Sequence, residues 1–258
     1  MRQFYTASKT FLDTNKPAAE QVWNTDETGV TPQGTNARKV IALKGQKVVG
    51  TKRSNSRGNI TLVATINAAG RAMPPLIIPK GQRVQAAWLG GGGPPGALYT
   101  ATDSTLPLCR ARTGHILDTG KNDAKPHILL LDDRASHVTF QVIELAKSLN
   151  IELSQLPSHS SHITQPLDVA AFGISKREVT SVLGAFGRNS GSEVPVKADM
   201  VAVIRDAREP SFTPSEIGAS FGGAGLWPVG KARALYRLRD RGSNRKARPG
   251  GRPPLACL

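Results

Sequence analysis

The chain has 258 residues, of which 34 are Lys or Arg and 19 are Asp or Glu, so its formal net charge is +15. This length corresponds to one or at most two globular domains, and an apolar content of 39% is enough to build a hydrophobic core. No run approaches the roughly 18 consecutive apolar residues of a membrane span, and the first residues do not resemble a secretory signal. The sequence therefore predicts a soluble, intracellular protein with no membrane partner.

The strongly basic composition predicts a polyanionic partner, nucleic acid in the first place and an anionic membrane surface as the weaker alternative. Residues 231–258 hold nine Lys or Arg and a single acid, and we expect this Gly- and Pro-rich tail to be disordered. The two cysteines, Cys109 and Cys257, lie far apart and lack a paired Cys or His spacing. Their positions argue against both a disulfide framework and a zinc site.

The first part of the chain has the pattern of a helix followed by several strands. Residues 3–12 predict a short amphipathic helix, and residues 22–26 predict a strand that ends in a turn at 27–29. Three further β-like runs follow, and a turn at 68–70 joins the last two as a hairpin, so an antiparallel meander is expected. These runs are residues 39–43, 60–66 and 73–78.

Residues 90–123 begin with a Gly- and Pro-rich run and show no regular period, which predicts a loop or poorly ordered chain. The apolar run 127–132 then predicts a strand buried on both faces.

A helix is expected directly after this strand, because Val142, Leu145 and Leu149 continue a helical spacing from Val138. Ser136 is its predicted N-cap, Asn150 its predicted left-handed stop, and residues 151–156 a second strand. Together these elements predict a parallel βαβ unit.

The end of the ordered region also has helix signals. A helix is expected to begin near Asp168, and Thr213 with Glu216 forms a capping box in which Pro214 occupies the first helical position. We interpret residues 1–230 as one domain and residues 231–258 as the tail.

Three aspartates stand where the predicted elements end: Asp26 after the first strand, Asp132 after the buried strand and Asp168 at the start of the later helix. Loops beyond the carboxyl ends of neighbouring strands converge in open α/β sheets, so Asp26 and Asp132 are expected to lie side by side. Carboxylate oxygens are the ligands that Mg²⁺ prefers, and two such ions can assist phosphodiester cleavage. A single Asp at a strand end is more often an ordinary turn or cap residue, so spacing alone is a weak signal.

Four sequence blocks sharpen this interpretation. They read NTDETG at 24–29, LLDDRASH at 130–137, LPSHSSHITQPLDV at 156–169 and FGGAGLWP at 221–228. In this order the blocks resemble those of the DDE superfamily endonuclease domain, and more narrowly those of the pogo and jerky-type transposases of the mariner-like group. The resemblance covers about residues 1–230.

This resemblance implies an α/β fold, an RNase H-like mixed β-sheet with flanking helices. It also implies that Asp26, Asp132 and Asp168 are the catalytic residues and the ligands of Mg²⁺ or Mn²⁺ in a two-metal site for DNA cleavage and strand transfer. DNA is then the expected partner and the nucleus the expected location, and a homo-oligomer is compatible with this interpretation.

The chain also departs from the family pattern. Asp132 is followed by Asp133 and Arg134, where family members usually carry Gly-His or Asn-His, and residues 90–123 do not resemble the family's helix before the second acid. The helix-turn-helix modules of full-length relatives are absent from this sequence. A second hypothesis is therefore a catalytically decayed DNA-binding or interaction module that keeps the fold.

Other polar residues near the blocks have two interpretations each. Glu27 is expected to point away from Asp26 along the strand, which favours a structural role. His137, His159 and His162 could orient a metal ligand or contact a phosphate, or could simply cap and hydrogen-bond a polar loop. Phe221 and Trp227 are expected to pack in the core.

Overall fold

A computed structural model describes the parts of the chain that hold the predicted elements. The described residues are 2–32, 44–45, 59–81, 84, 86–89, 92–101, 126–132, 140–189, 195–196, 198–230, 232, 234 and 236. The β-like run at 39–43, the N-cap Ser136 and almost all of the basic tail lie outside them.

Strands dominate the first half of the described chain, and helices dominate the second half. The strands are β1 (Val22–Val30), β2 (Ile60–Asn67), β3 (Leu76–Pro79), β4 (Leu98–Tyr99), β5 (His127–Leu131) and β6 (Ile151–Gln155). The helices are α1 (Arg2–Asn15), α2 (Ala86–Leu89), α3 (Phe140–Ser148), α4 (Ser161–Thr164), α5 (Pro166–Val169), α6 (Ala171–Asn189), α7 (Asp199–Ser211) and α8 (Pro214–Ala224). A 3₁₀ turn at Ala19–Gln21 leads into β1.

Within the described residues the strands form one mixed sheet in the order β4-β3-β2-β1-β5-β6. β1, β2 and β3 are antiparallel neighbours, as the predicted meander requires. β1 is parallel to β5, and β5 is parallel to β6 across helix α3. The predicted βαβ unit is confirmed, and Asn150 has the left-handed φ of 54° expected at the stop between α3 and β6.

Two predictions about the strands are wrong. The turn expected at 27–29 does not form, because Glu27, Thr28 and Gly29 continue β1 and pair with Val63, Leu62 and Thr61. Local sequence suggested a turn there, and pairing with the distant β2 overrides it.

The second error lies inside residues 90–123, where Leu98 and Tyr99 form the edge strand β4 beside β3. The Gly-rich run leading to it packs against helix α7, since Arg205 donates a hydrogen bond to the carbonyl of Gly92 at 2.6 Å. Residues 102–125 lie outside the described chain.

The two faces of the sheet are covered differently. One face carries Val22, Ala64, Ile66, Ile128 and Leu130, which pack against α5, α6 and α8 in a single apolar cluster. The opposite face carries Trp23, Leu129 and Leu131, which pack with Ala146 of α3. Alternate residues of a strand point to opposite faces, so the face that holds Asn24 and Leu130 is also the face of Asp26 and Asp132.

Helices α1 and α8 are far apart in sequence and are joined by a hydrogen bond. The Tyr5 hydroxyl donates a 2.6 Å hydrogen bond to the carbonyl of Ala224, and burial raises the pKa of Tyr5 to about 12. Thr213 caps α8 by accepting a hydrogen bond from the backbone N–H of Glu216, as its sequence signal predicts. Phe221 is fully buried in the same apolar cluster and Trp227 packs against it, which confirms the predicted packing roles of both.

Candidate active site

The short pairing between β1 and β5 places two of the predicted aspartates together. The last paired residues of this parallel ladder are Asn24 and Leu130. Asp26 and Asp132 each follow two residues later, on the same face of neighbouring strands that run in the same direction. The sequence predicted Asp26 at the end of the strand, whereas it lies in the middle of β1. It stands beside Asp132, as expected.

The third aspartate comes from a tight pair of helical turns after β6. Gln165 is both the C-cap of α4 and the N-cap of α5, and Pro166 occupies the first turn of α5. A proline there loses no helical hydrogen bond, so the chain can start a new turn at once. Asp168 thereby lies in the first turn of α5, close to where a helix was predicted to begin.

All three aspartates line one pocket of about 450 Å³. The other lining residues are Glu27, Ser158, His159 and Ser161. Glu27 lines the pocket and its backbone hydrogen-bonds Asp26, while its expected structural role within the strand stays a prediction. His159 lies in this pocket with a left-handed φ of 55°, a conformation that residues other than glycine rarely adopt. His162 is exposed outside the lining, and His137 lies outside the described residues.

Electrostatics within the pocket favour a bound cation. The pKa of Asp26 is raised from 3.8 to about 7, first by burial, then by the negative charge of Asp168, with a smaller contribution from Asp132. A hydrogen bond from the Gln165 side chain opposes this rise. Like charges that share a buried site disfavour ionisation, and a cation placed among them reverses that effect.

The donor set fits a hard divalent cation, because the pocket offers carboxylate oxygens from three separate elements. Among the described residues, no three Asp, Glu, His or Cys side chains are close enough together to hold one ion as they stand. The aspartates thus surround a common space without converging on a single point.

Two uncharged residues beneath the pocket were given no role by sequence reasoning. Asn24 and Gln165 are both 0% exposed, and each belongs to one of the acid-bearing elements. A polar amide inside a recognised block, two or three residues before a predicted acid, was the signal available in the sequence. Such a residue is buried only when its hydrogen bonds are satisfied.

Comparison with protein families decides the identity of the domain. The family described as DDE superfamily endonuclease matches residues 57–221, which is more than half of the chain. The chain belongs to the DDE superfamily endonucleases. Asp132 and Asp168 lie within the matched residues, whereas Asp26 precedes them and is brought to the site by β1.

Solved structures confirm the RNase H-like fold expected of a DDE superfamily endonuclease. The Mos1 strand transfer complex matches with a TM-score of 0.57 and 14% identity, over 91% of this chain and 61% of that chain. The mariner Mos1 paired end complex with Mg matches with a TM-score of 0.51 and 15% identity, over 91% of this chain and 62% of that chain. At this identity the likeness concerns the fold, and the narrower resemblance to pogo and jerky-type transposases stays a prediction.

A curated relative is similar in sequence to this DDE superfamily endonuclease. It is a Cochliobolus lunatus protein named MFS-type transporter clz9, 29% identical over 227 residues that cover 85% of this chain. The chain spans about a quarter of that protein, since the match covers 24% of its length. None of the helices in the described residues has the length and apolar character that a membrane crossing requires.

Proposed function

We propose that this domain cleaves DNA phosphodiester bonds with Mg²⁺ or Mn²⁺, as a transposase-derived DDE endonuclease. The observation that carries the proposal is that Asp26, Asp132 and Asp168, from three elements distant in sequence, line one pocket. The family of the domain and the excess of positive charge support the same reaction class and a DNA partner.

All three aspartates have a part in this proposal. Asp26 and Asp132, on adjacent strands, and Asp168, on α5, would hold the divalent cations. Bound divalent cations at such a site activate an attacking oxygen and stabilise the leaving oxygen of a phosphodiester. The protein's own contribution is to hold the three carboxylates around one pocket, where a bound cation would favour their ionised form.

The test is nicking of a supercoiled plasmid in Mn²⁺ by the wild type, by Asp26→Asn and by Glu209→Gln. Asp26→Asn is expected to lose nicking completely, because it removes a ligand charge and leaves the shape of the side chain intact. Glu209 is exposed on α7, outside the pocket lining, so Glu209→Gln makes the same chemical change away from the site and should keep full activity. Equal nicking by the wild type and Asp26→Asn would refute the assignment.

A second candidate function is a DNA-binding module that has lost catalysis. The observation that favours it is the spread of the acids, since no three of the described metal-ligating side chains are close enough to hold one ion as they stand. Salt-sensitive DNA binding by a folded wild type that nicks in neither Mg²⁺ nor Mn²⁺ would support this function over cleavage. Nuclear residence belongs to the proposal as a consequence of a DNA partner, and a homo-oligomer is compatible with it.

A further inference from the structure

Two buried side-chain amides connect the three elements that carry the aspartates. Asn24 lies on β1, two residues before Asp26, and Gln165 lies between α4 and α5, three residues before Asp168. Both side chains are 0% exposed, so every hydrogen bond that they make is shielded from water.

Asn24 is bound to two of the other elements. Its Nδ2 donates to the carbonyl of Leu130 on β5 at 3.1 Å and to Oε1 of Gln165 at 2.9 Å. Its Oδ1 accepts a hydrogen bond from the backbone N–H of Leu167 on α5 at 3.2 Å. One amide therefore holds β5, two residues before Asp132, and α5, one residue before Asp168.

Gln165 completes the connection back to β1. Its Oε1 accepts from Asn24, and its Nε2 donates to the carbonyl of Thr25 at 3.2 Å. The Gln165 side chain also acts on Asp26, since its hydrogen-bonding interaction lowers the pKa of that carboxyl. An amide nitrogen has two protons, so the bond to Thr25 leaves one donor of Gln165 for the side of Asp26.

Backbone groups fix the orientation of both amides. Asn24 cannot flip, because its nitrogen would then face the N–H of Leu167 and its oxygen would face the carbonyl of Leu130. With Asn24 fixed, Gln165 must turn its oxygen to Asn24, and its nitrogen then faces Thr25 and Asp26. The arrangement thus presents a donor, never an acceptor, to the carboxylate of Asp26.

We propose that Asn24 and Gln165 are positioning residues of the site, which fix the spacing of Asp26, Asp132 and Asp168 where strand pairing has ended. The β1–β5 ladder stops at Asn24 and Leu130, so backbone hydrogen bonds of that ladder do not set the separation of the two aspartates beyond it. Helix α5 takes no part in strand pairing, and the hydrogen bonds of the two amides connect it to β1 and β5. Neither residue adds charge to a pocket that is already acidic.

This inference rests on the proposed metal site, and groups behind metal ligands commonly change metal affinity 10- to 100-fold when they are replaced. We therefore expect Gln165→Met and Asn24→Ala to weaken Mn²⁺ binding about 10-fold or more, measured by calorimetry. The double variant should lose little more than either single variant, because both act through the Asn24–Gln165 hydrogen bond.

Thr65→Val is the matched control. The Thr65 hydroxyl is buried and donates to the Thr25 hydroxyl at 3.0 Å, which links β1 to β2, a strand that carries none of the three aspartates. This variant loses a buried hydrogen bond of the same kind but should bind Mn²⁺ within about twofold of the wild type. The comparison is made under conditions where all variants have the same free energy of unfolding. If the two amide variants then bind Mn²⁺ as well as Thr65→Val does, the positioning role is wrong.

Hydrogen–deuterium exchange of the metal-free chain keeps the inference separate from the proposed function. Asn24→Ala and Gln165→Met should lose protection at residues 161–169, which include the Leu167 N–H, while β2 and β3 stay protected. Thr65→Val should leave residues 161–169 protected. Unchanged exchange at 161–169 in both amide variants would overturn the inference. A folded wild type that binds no Mn²⁺ would refute the metal site, and the exchange result would then decide whether Asn24 and Gln165 hold β1, β5 and α5 together.

Discussion

The two long edges of strand β1 are held in very different ways. Toward β2, eight consecutive residues pair in a continuous antiparallel ladder from Trp23 to Val30. Toward β5, only Val22, Trp23 and Asn24 pair, and the ladder then ends. The candidate site lies along the edge of β1 where pairing with β5 stops. The ladder with β2 therefore stabilises the sheet, and the unpaired part of the other edge leaves space for the pocket.

This contrast predicts that the β2–β3 side governs stability without governing metal binding. Ile77 on β3 is 0% exposed and packs with Ile60, Leu62 and Ile204. Ile77→Ala should lower the free energy of unfolding by about 2 to 5 kcal/mol, because it leaves a cavity in this cluster. Urea denaturation measures the loss.

Ile77→Val removes a single methylene group and serves as the graded control, with an expected loss of about 1 kcal/mol. Both variants should keep the Mn²⁺ affinity of the wild type while folded. A large fall in affinity would show that the paired side also sets the geometry of the pocket.

On the side of β1 that faces β5, we expect a substitution at Asp26 to raise the free energy of unfolding rather than lower it. Folded Asp26 keeps its proton up to a pKa of about 7, whereas its ordinary value is 3.8, so the folded state binds more protons between these values. The free energy of unfolding should therefore fall as pH rises from about 4 to about 7. In metal-free buffer at about pH 8, Asp26→Asn should be more stable than the wild type by about 2 to 4 kcal/mol.

Urea denaturation of both proteins at several pH values, with a chelator present, measures this difference. The gap should close at about pH 4, where the carboxyl of the unfolded wild type is also becoming protonated. A constant gap at all pH values would show that the substitution acts through packing rather than through charge.

At the edge strand β4 we expect a smaller loss in the free energy of unfolding. A Cβ on Gly93 would meet the hydroxyl of Tyr99 and would lie 2.5 Å from Cγ1 of Val201. Gly93→Ala should therefore cost about 1 to 3 kcal/mol and loosen β4, which contains Tyr99. Hydrogen exchange at residues 98–100 and the melting temperature measure the effect, and Gly173→Ala, where a Cβ meets nothing within 4 Å, is the control.

The same two edges show what sequence could predict. The apolar run of β5, the spacing of α3 and the stop at Asn150 are local signals, and their elements formed as expected. The extension of β1 through Glu27–Gly29 and the edge strand at Leu98 depend on partners far along the chain, so local turn and Gly-Pro signals were misleading there.

The site divides in a similar way. Asp26, Asp132 and Asp168 could be selected because they stand at the boundaries of predicted elements inside recognisable blocks, and the structure brings them to one pocket. Asn24 and Gln165 could not be assigned, because their roles depend on where the β1–β5 ladder stops and on which groups face them across it. Register is a property of two strands, and neither strand encodes it alone.

The central place of β1 in the sheet also bears on where a working fragment can be cut. Sequence similarity to the family begins at residue 57, yet β1 lies before that residue and separates β2 from β5. A polypeptide trimmed to residues 57–221 would have no strand to join the two halves of its sheet, and it would lack both Tyr5 and Ala224, whose hydrogen bond ties α1 to α8. The shortest piece able to fold therefore extends well upstream of the segment that similarity marks.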